Sequence, residues 1–330
     1  MMIHLLKRIA PDWTDRIETR LSALSWIAAI QPVGRRQLAS HMALPERDIR
    51  SAAEHLREAG LIETNAAGMK LTPEGAAIVA QAQALYRELR GLASIEADIA
   101  RRYGVRRVLV APGDCDETPG VFLPLGRAGA AELRGSLQPG WVVAITGGST
   151  VASLVHEMPE SGSLGLTVLP ARGGIGGNAL TQASTLAQEL ARRVGGVHRM
   201  LHLPDDLPEP VAQALLQQPS VRETIALLEG ADLLICGIGN AEESMRRREL
   251  GAEQTRLIRS KHPLAEAFGV FFAADGTPVY RAGMLADFTG VRTMMAVAGG
   301  RNKAAAIAAV LRSGRIDTLI TDEGAAKRLL

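Results

Sequence analysis

Six short aliphatic runs recur between residues 107 and 321 of this 330-residue chain: RVLVA at 107–111, WVVAI at 141–145, LGLTVL at 164–169, DLLICGI at 232–238, TMMAVA at 293–298 and DTLIT at 317–321. A strand with one wet face alternates polar and apolar residues. A strand of a parallel sheet is covered on both faces and reads as a nearly continuous apolar run. Between the runs lie Ala-rich amphipathic segments such as 179–194 and 302–312, which suit crossover helices. The pattern predicts an α/β layered domain. One further segment, GVFFAADGTPVYRAG at 269–283, reads as a hairpin turning at Asp275 and Gly276.

The first 90 residues follow a different grammar, and the expected division is 1–90 and 91–330. In GRRQLASHMALPERDIRSAAEHLREAGL, Leu38 and Ala39 lie on a short helix, ALP makes a turn, and a second helix starts at Glu46. Ile49, Ala53 and Leu56 then form one buried stripe, and Gly60 stands where a helix ends. LIETNAAGMKLT supplies two short strands about the turn Asn65–Gly68. This is a winged helix-turn-helix. A DNA-reading helix needs free polar residues at its N-terminal end and nearby cations for phosphates. Arg47, Arg50 and Ser51 meet the first need, and Arg35, Arg36 and Lys70 the second. Thr72 before Pro73 opens a connecting helix over 72–104, expected also to pair subunits in a homodimer or homotetramer.

Bulk charge adds little. Residues 1–90 hold 12 Lys and Arg against 10 Asp and Glu, and the remainder 25 of each. The two cysteines, Cys115 and Cys236, form no CxxC and have no neighbouring His pair, which argues against a disulfide framework or a zinc site. The start of the chain, MMIHLLKRIAPDW, has too short an apolar run for a signal peptide. No run approaches the ~18 apolar residues of a membrane span. A soluble, cytoplasmic protein without a cofactor is expected.

Phosphate chemistry is written into the strand ends. In VVAITGGSTVASLV a strand runs into Gly147 and Gly148, then Ser149 and Thr150 open a helix. Such a junction presents unpaired N–H groups and the positive end of a helix to an anion. LPARGGIGGNALTQ at 169–182 places Arg172 and Gly173 after another strand, with Gln182 on the helix that follows. AVAGGRNKAAAI repeats the strand, Gly-Gly turn and helix, with Lys303 one turn in. LLICGIGNAEESMRRREL reads as a strand, a Gly-x-Gly turn and a helix leading to Arg246, Arg247 and Arg248. These loops share the carboxyl edge of the sheet, where ligands of open α/β sheets bind. Several cations converging there suit a ligand with more than one phosphate. GxxxxGK[ST] is absent, and no GxGxxG opens a βαβ unit, which disfavours a nucleotide triphosphatase or a dinucleotide enzyme.

The winged-helix head followed by GGST, PARGG, GIGNA, EAFGVFF, AVAGGRNKAAAI and LITDEGAA resembles the SorC family of sugar-sensing transcriptional regulators, nearly end to end. The resemblance implies an effector domain with the fold of ribose-phosphate isomerases, glucosamine-phosphate deaminases and CoA-transferases. It also implies a repressor of glycolytic genes whose operator binding is modulated by fructose 1,6-bisphosphate. Carried over, Gly148, Ser149, Thr150 and Lys303 hold one phosphate. Arg172, with Gly173 beside it, and Arg247 serve the other, while Gln182 and Glu266 lie near the sugar hydroxyls. MRRREL leaves Arg247 and Arg248 as alternatives. Arg301 is open to two readings, a phosphate contact or a solvated charge. A second function class, a sugar-phosphate isomerase, would need carboxylates where Cys236 and Gly239 stand. Asp322 and Glu323 read more simply as a helix N-cap and a first-turn acid.

Overall fold

The structure, a computed structural model, describes residues 2–174, 178–201, 209–248, 250–282 and 287–330. Residues 175–177 of the Arg172 loop and Gly283 at the end of the expected hairpin lie outside them. The chain divides into two compact units, residues 1–95 with 117–121, and residues 96–116 with 122–330.

In the first unit the helices Pro11–Ile30, Arg35–Met42 and Glu46–Glu58 are followed by strands β1 (Ile62–Asn65) and β2 (Gly68–Leu71). β1 and β2 pair antiparallel, and Val33 adds a bridge to Met69, which gives the wing a third, single-residue rung. Ile49, Ala53 and Leu56 are buried against Leu24, Ile27, Val33, Leu38, Ile62 and Met69. Fully burying one such Ile or Leu contributes about 1.5–3 kcal/mol, so this stripe fixes which face of Glu46–Glu58 stays wet. The Thr72 hydroxyl accepts from the Gly75 N–H at 3.0 Å and caps Pro73–Leu89. The expected connecting helix is two helices, since Leu92–Tyr103 starts afresh after Gly91.

Among the described residues the second unit contains ten strands: β3 (Arg107–Ala111), β4 (Val142–Ile145), β5 (Thr167–Pro170), β6 (Val197–His198), β7 (Leu233–Asn240), β8 (Ala265–Ala267), β9 (Val270–Phe272), β10 (Pro278–Arg281), β11 (Thr293–Val297) and β12 (Thr318–Asp322). Seven form a parallel sheet in the order β6, β5, β4, β7, β11, β12, β3. All six apolar runs are strands of it. β7 lies at the centre, with Leu233 to Cys236 wholly buried. Helix Ala304–Arg312 covers one face with seven buried residues.

Two local departures matter for the site. The Gly-x-Gly of GIGNA is not a turn. β7 runs on through it to Asn240, and its last residues pair antiparallel with β8, placing Gly239 opposite Glu266. The hairpin β9–β10 continues that small antiparallel sheet. Glu266 therefore sits on a strand, 5% exposed, rather than at a helix end.

Candidate functional site

Successive strands after β4 add on one side (β5, β6), and those after β7 on the other (β11, β12). Between β4 and β7 the loops diverge, which opens a crevice at the carboxyl edge. An open cleft lies there. Of the expected effector residues, Gly148, Ser149, Thr150, Arg172, Arg247, Glu266 and Lys303 line it. Gly173 and Gln182 are not among the described lining residues. Gln182 stands just before the helix Ala183–Arg193. Its backbone backs the phosphate loop from outside, where a Cβ on Gly147 would meet Thr181 and Gln182 main-chain atoms at 2.5 and 3.5 Å.

The helix Ser149–Glu157 supplies the anion end. Its ladder begins with Ala152 N–H to Gly148 C=O at 2.8 Å, so the N–H groups of Ser149, Thr150 and Val151 precede the helical bonds. Gly148 adopts φ 132°, which strains any residue with a side chain, and a Cβ there would meet nothing within 4 Å. The backbone is thus bare on the side a ligand would approach. Thr150 has a different task from that expected. Its side chain is 4% exposed, and its hydroxyl donates to Val297 C=O at 2.6 Å, tying the loop to the end of β11.

The other Gly-Gly turn also works otherwise than expected. Its backbone donors are already occupied. Gly300 N–H donates to Asp322 Oδ2 at 2.7 Å, Arg301 N–H to Asp114 Oδ1 at 3.3 Å, and Asn302 N–H to Asp116 Oδ2 at 2.8 Å. Three internal carboxylates fill the place an anion would take, and Lys303 alone of the turn reaches the cleft. Arg301, left open by the sequence, bonds Asp114 through Nε. Burial would raise the Asp114 carboxyl, but the hydrogen bond from Arg301 and those from the Asp116 and Arg301 N–H groups hold it below its usual range. Asp322 accepts from Ala325 N–H at 2.9 Å as the N-cap of Glu323–Leu329.

Arg247 and Arg248 separate cleanly. Arg247 is 42% exposed and points its guanidinium along the cleft, with Nη2 bonded to Ser244 Oγ at 3.2 Å. Arg248 is 1% exposed and bonds Glu266 Oε1 at 3.0 Å. Glu266 also accepts from Gly269 N–H at 2.9 Å. Burial would raise its pKa, yet the guanidiniums of Arg248 and Arg172, the Gly269 N–H and Arg247 together bring it down to about 2. Glu266 therefore stays ionised and holds the cleft's arginines in place. Gly239 leaves room for this arrangement, since a Cβ there would lie 2.8 Å from Ser244 Oγ and 3.4 Å from Arg247 Nη2. Gly239→Ala should cost about 1–3 kcal/mol through overpacking and weaken the binding of any anion the cleft takes by moving Arg247. Chemical denaturation and a ligand titration read the two effects separately.

Two lining residues escaped the sequence reading. Thr146 accepts the Gly237 N–H at 3.2 Å and so joins the two diverging loops. Phe268 forms an apolar wall in a strained left-handed conformation, φ 41° and 8% exposed. A bulky residue before Gly269, between two three-residue strands, was the available signal. Among the described lining residues the one carboxylate, Glu266, is tied up by Arg248 and the Gly269 N–H. Cys236 is wholly buried, and burial, with Glu266 nearby, pushes its thiol up to about 12.

In the first unit, Arg47, Arg50 and Ser51 are exposed on the face opposite Ile49, Ala53 and Leu56. Arg35 and Arg36 are exposed at the start of Arg35–Met42, with Arg36 Nε 3.7 Å from Glu46 Oε2. Lys70 is half-buried on β2, opposite Glu63 in register, and so lies within the wing and not at its tip.

Two family models match: "CggR N-terminal DNA binding domain" over residues 17–85 and "Putative sugar-binding domain" over residues 87–330. The chain is 33% identical to the central glycolytic genes regulator of Bacillus subtilis (strain 168), over 100% of this chain and 98% of the relative. To the protein of the same name from Priestia megaterium it is 32% identical, with the same coverage. A crystal structure of a "putative SorC family transcriptional regulator" from Enterococcus faecalis is 30% identical, with a TM-score of 0.66, over 72% of this chain and 99% of that one. The full-length sorbitol operon regulator SorC from Klebsiella pneumoniae, 19% identical with a TM-score of 0.65, covers 94% of this chain and 98% of its own, and shares the fold.

Proposed function

The chain belongs to the SorC family of sugar-binding transcriptional regulators, and from that premise we propose that it represses genes of central glycolysis and is modulated by fructose 1,6-bisphosphate. That it is a sugar-modulated, DNA-binding regulator and not an enzyme follows from its family. The effector's identity, the genes controlled and an assembly as homodimer or homotetramer in the cytoplasm are our reading.

One observation carries the choice of effector. A helix N-terminus and the side chains of Arg172, Arg247 and Lys303 line a single cleft. One phosphate needs fewer cations than that; a sugar with a phosphate at each end uses them all. Ser149 and the first-turn N–H groups, with Lys303, would take one phosphate, and Arg172 with Arg247 the other. Glu266 lines the same cleft, and an ionised carboxylate is an acceptor for sugar hydroxyls.

A thermal-shift titration tests this. Fructose 1,6-bisphosphate at 100 times its Kd should stabilise the folded protein by about 2.7 kcal/mol. Fructose 6-phosphate, dihydroxyacetone phosphate and inorganic phosphate at the same concentration should give clearly smaller shifts. An equal or larger shift with a monophosphate would contradict the two-phosphate reading.

A further inference from the structure

The helix Pro11–Ile30 precedes the helix-turn-helix and played no part in the expected DNA contacts. Arg16 and Arg20 stand four residues apart and so share one face of it. That face and the exposed side of Glu46–Glu58 flank an open cavity, lined by Arg16 and Arg20 on one wall and by Ser51 and His55 on the other. Arg16 is exposed and Arg20 half-buried. Among the described residues no carboxylate pairs with either. Two acids also line the cavity, Asp15 and Asp48. Asp48 is countered by Arg47 at 3.4 Å, so two guanidiniums face one uncountered carboxylate.

A half-buried cation without an internal partner carries a desolvation cost that an external anion relieves. The position of the cavity says which anion. Ser51 belongs both to the wall of the cavity and to the face carrying Arg47 and Arg50. A helix lying in the major groove has a phosphate strand along each flank, and the flank of Glu46–Glu58 beside Ser51 is this cavity. We propose that Arg16 and Arg20 clamp a phosphate of the DNA backbone in it, fixing the register and angle at which Arg47, Arg50 and Ser51 meet the bases. Contacts of this kind position the protein and carry no sequence information themselves. The inference rests on the DNA-binding reading of Glu46–Glu58.

The test uses the full-length protein and two labelled duplexes, one selected by the protein from a randomised pool and one of unrelated sequence, followed by fluorescence anisotropy between about 50 and 200 mM KCl. Each of Arg16→Ala and Arg20→Ala should make the plot of log affinity against log salt shallower by about 0.9, the share of one neutralised phosphate. Affinity should fall by the same factor on both duplexes. Arg20→Lys, which keeps the charge, should recover most of the slope, and an unchanged thermal midpoint excludes unfolding. An unchanged slope in both Ala variants, with a shallower one in Arg50→Ala, would overturn the clamp and leave the reading helix standing. Unequal losses on the two duplexes would overturn the phosphate assignment in favour of base contact. If Arg47→Ala and Arg50→Ala also bind as wild type does, the DNA-binding reading falls and the clamp falls with it.

Discussion

Replacing Glu266 by alanine lowers the stability of the sugar-binding domain by about 3–5 kcal/mol, a fall of roughly 6–20 °C in its thermal midpoint. Glu266 and Arg248 beside it are both buried. Removing the carboxylate leaves a guanidinium in the interior without the charge that compensates it. The damage comes from the charge left behind and not from the worth of the pair. Replacing both residues by methionine should therefore cost less than Glu266→Ala alone. The pH dependence has a definite sign. The folded-state pKa of Glu266, about 2, lies below the ~4.3 of an unfolded glutamate. Its contribution is complete above about pH 4.3 and fades as the pH falls toward 2, since protons then favour the unfolded chain. Denaturation curves at pH 7, 5 and 3 should show the gap between wild type and Glu266→Gln narrowing only at the lowest pH. A gap that stays constant would mean that folding leaves the pKa of Glu266 unshifted, and one that widens as the pH falls would mean that its carboxyl is neutral in the folded protein.

On the proposed function, replacing Lys303 by methionine should weaken fructose 1,6-bisphosphate binding by roughly 10- to 150-fold, the range for losing a hydrogen bond to a charged group. Stability should stay within about 0.5 kcal/mol, because the side chain is only half-buried. Arg301, two residues earlier, should behave in the opposite way. Its guanidinium bonds Asp114 and holds the turn, so Arg301→Ala costs stability and affects the ligand less. Calorimetric titration of both variants separates the roles. If Arg301→Ala abolishes binding while Lys303→Met is silent, the assignments are exchanged.

The contrast between these two residues shows how far the sequence reaches. The strands, the wing and the helix opening at Ser149 were legible because local patterns encode them: continuous apolar runs, a stripe at Ile49, Ala53 and Leu56, a glycine pair before two hydroxyls. What stayed hidden depends on pairing between distant segments. AVAGGRNK reads as a second anion loop until Asp114 and Asp116, nearly two hundred residues earlier, are found on its N–H groups. GIGN reads as a turn because two glycines break most strands, and its partner β8 has only three residues. Arg247 and Arg248 are neighbours, so composition could not separate them. The end of the helix Ala241–Arg247 turns one toward the cleft and the other inward. Thr150 was expected to bind ligand as a hydroxyl donor, and only the approach of β11 shows that its proton is committed elsewhere.

The central claim is that the cleft reads a sugar bisphosphate as a signal to the DNA-binding domain. By linkage, the sugar shifts DNA affinity only by as much as it prefers one state of the protein over another, commonly 5- to 150-fold. The most direct measurement is the affinity of the full-length protein for a duplex it has itself selected, with and without saturating fructose 1,6-bisphosphate, in wild type and in Lys303→Met. A shift of at least about fivefold is expected in wild type, and Lys303→Met should need a roughly 10- to 150-fold higher sugar concentration to reach it. An affinity that the bisphosphate leaves unchanged in wild type, although the sugar binds, would contradict the claim.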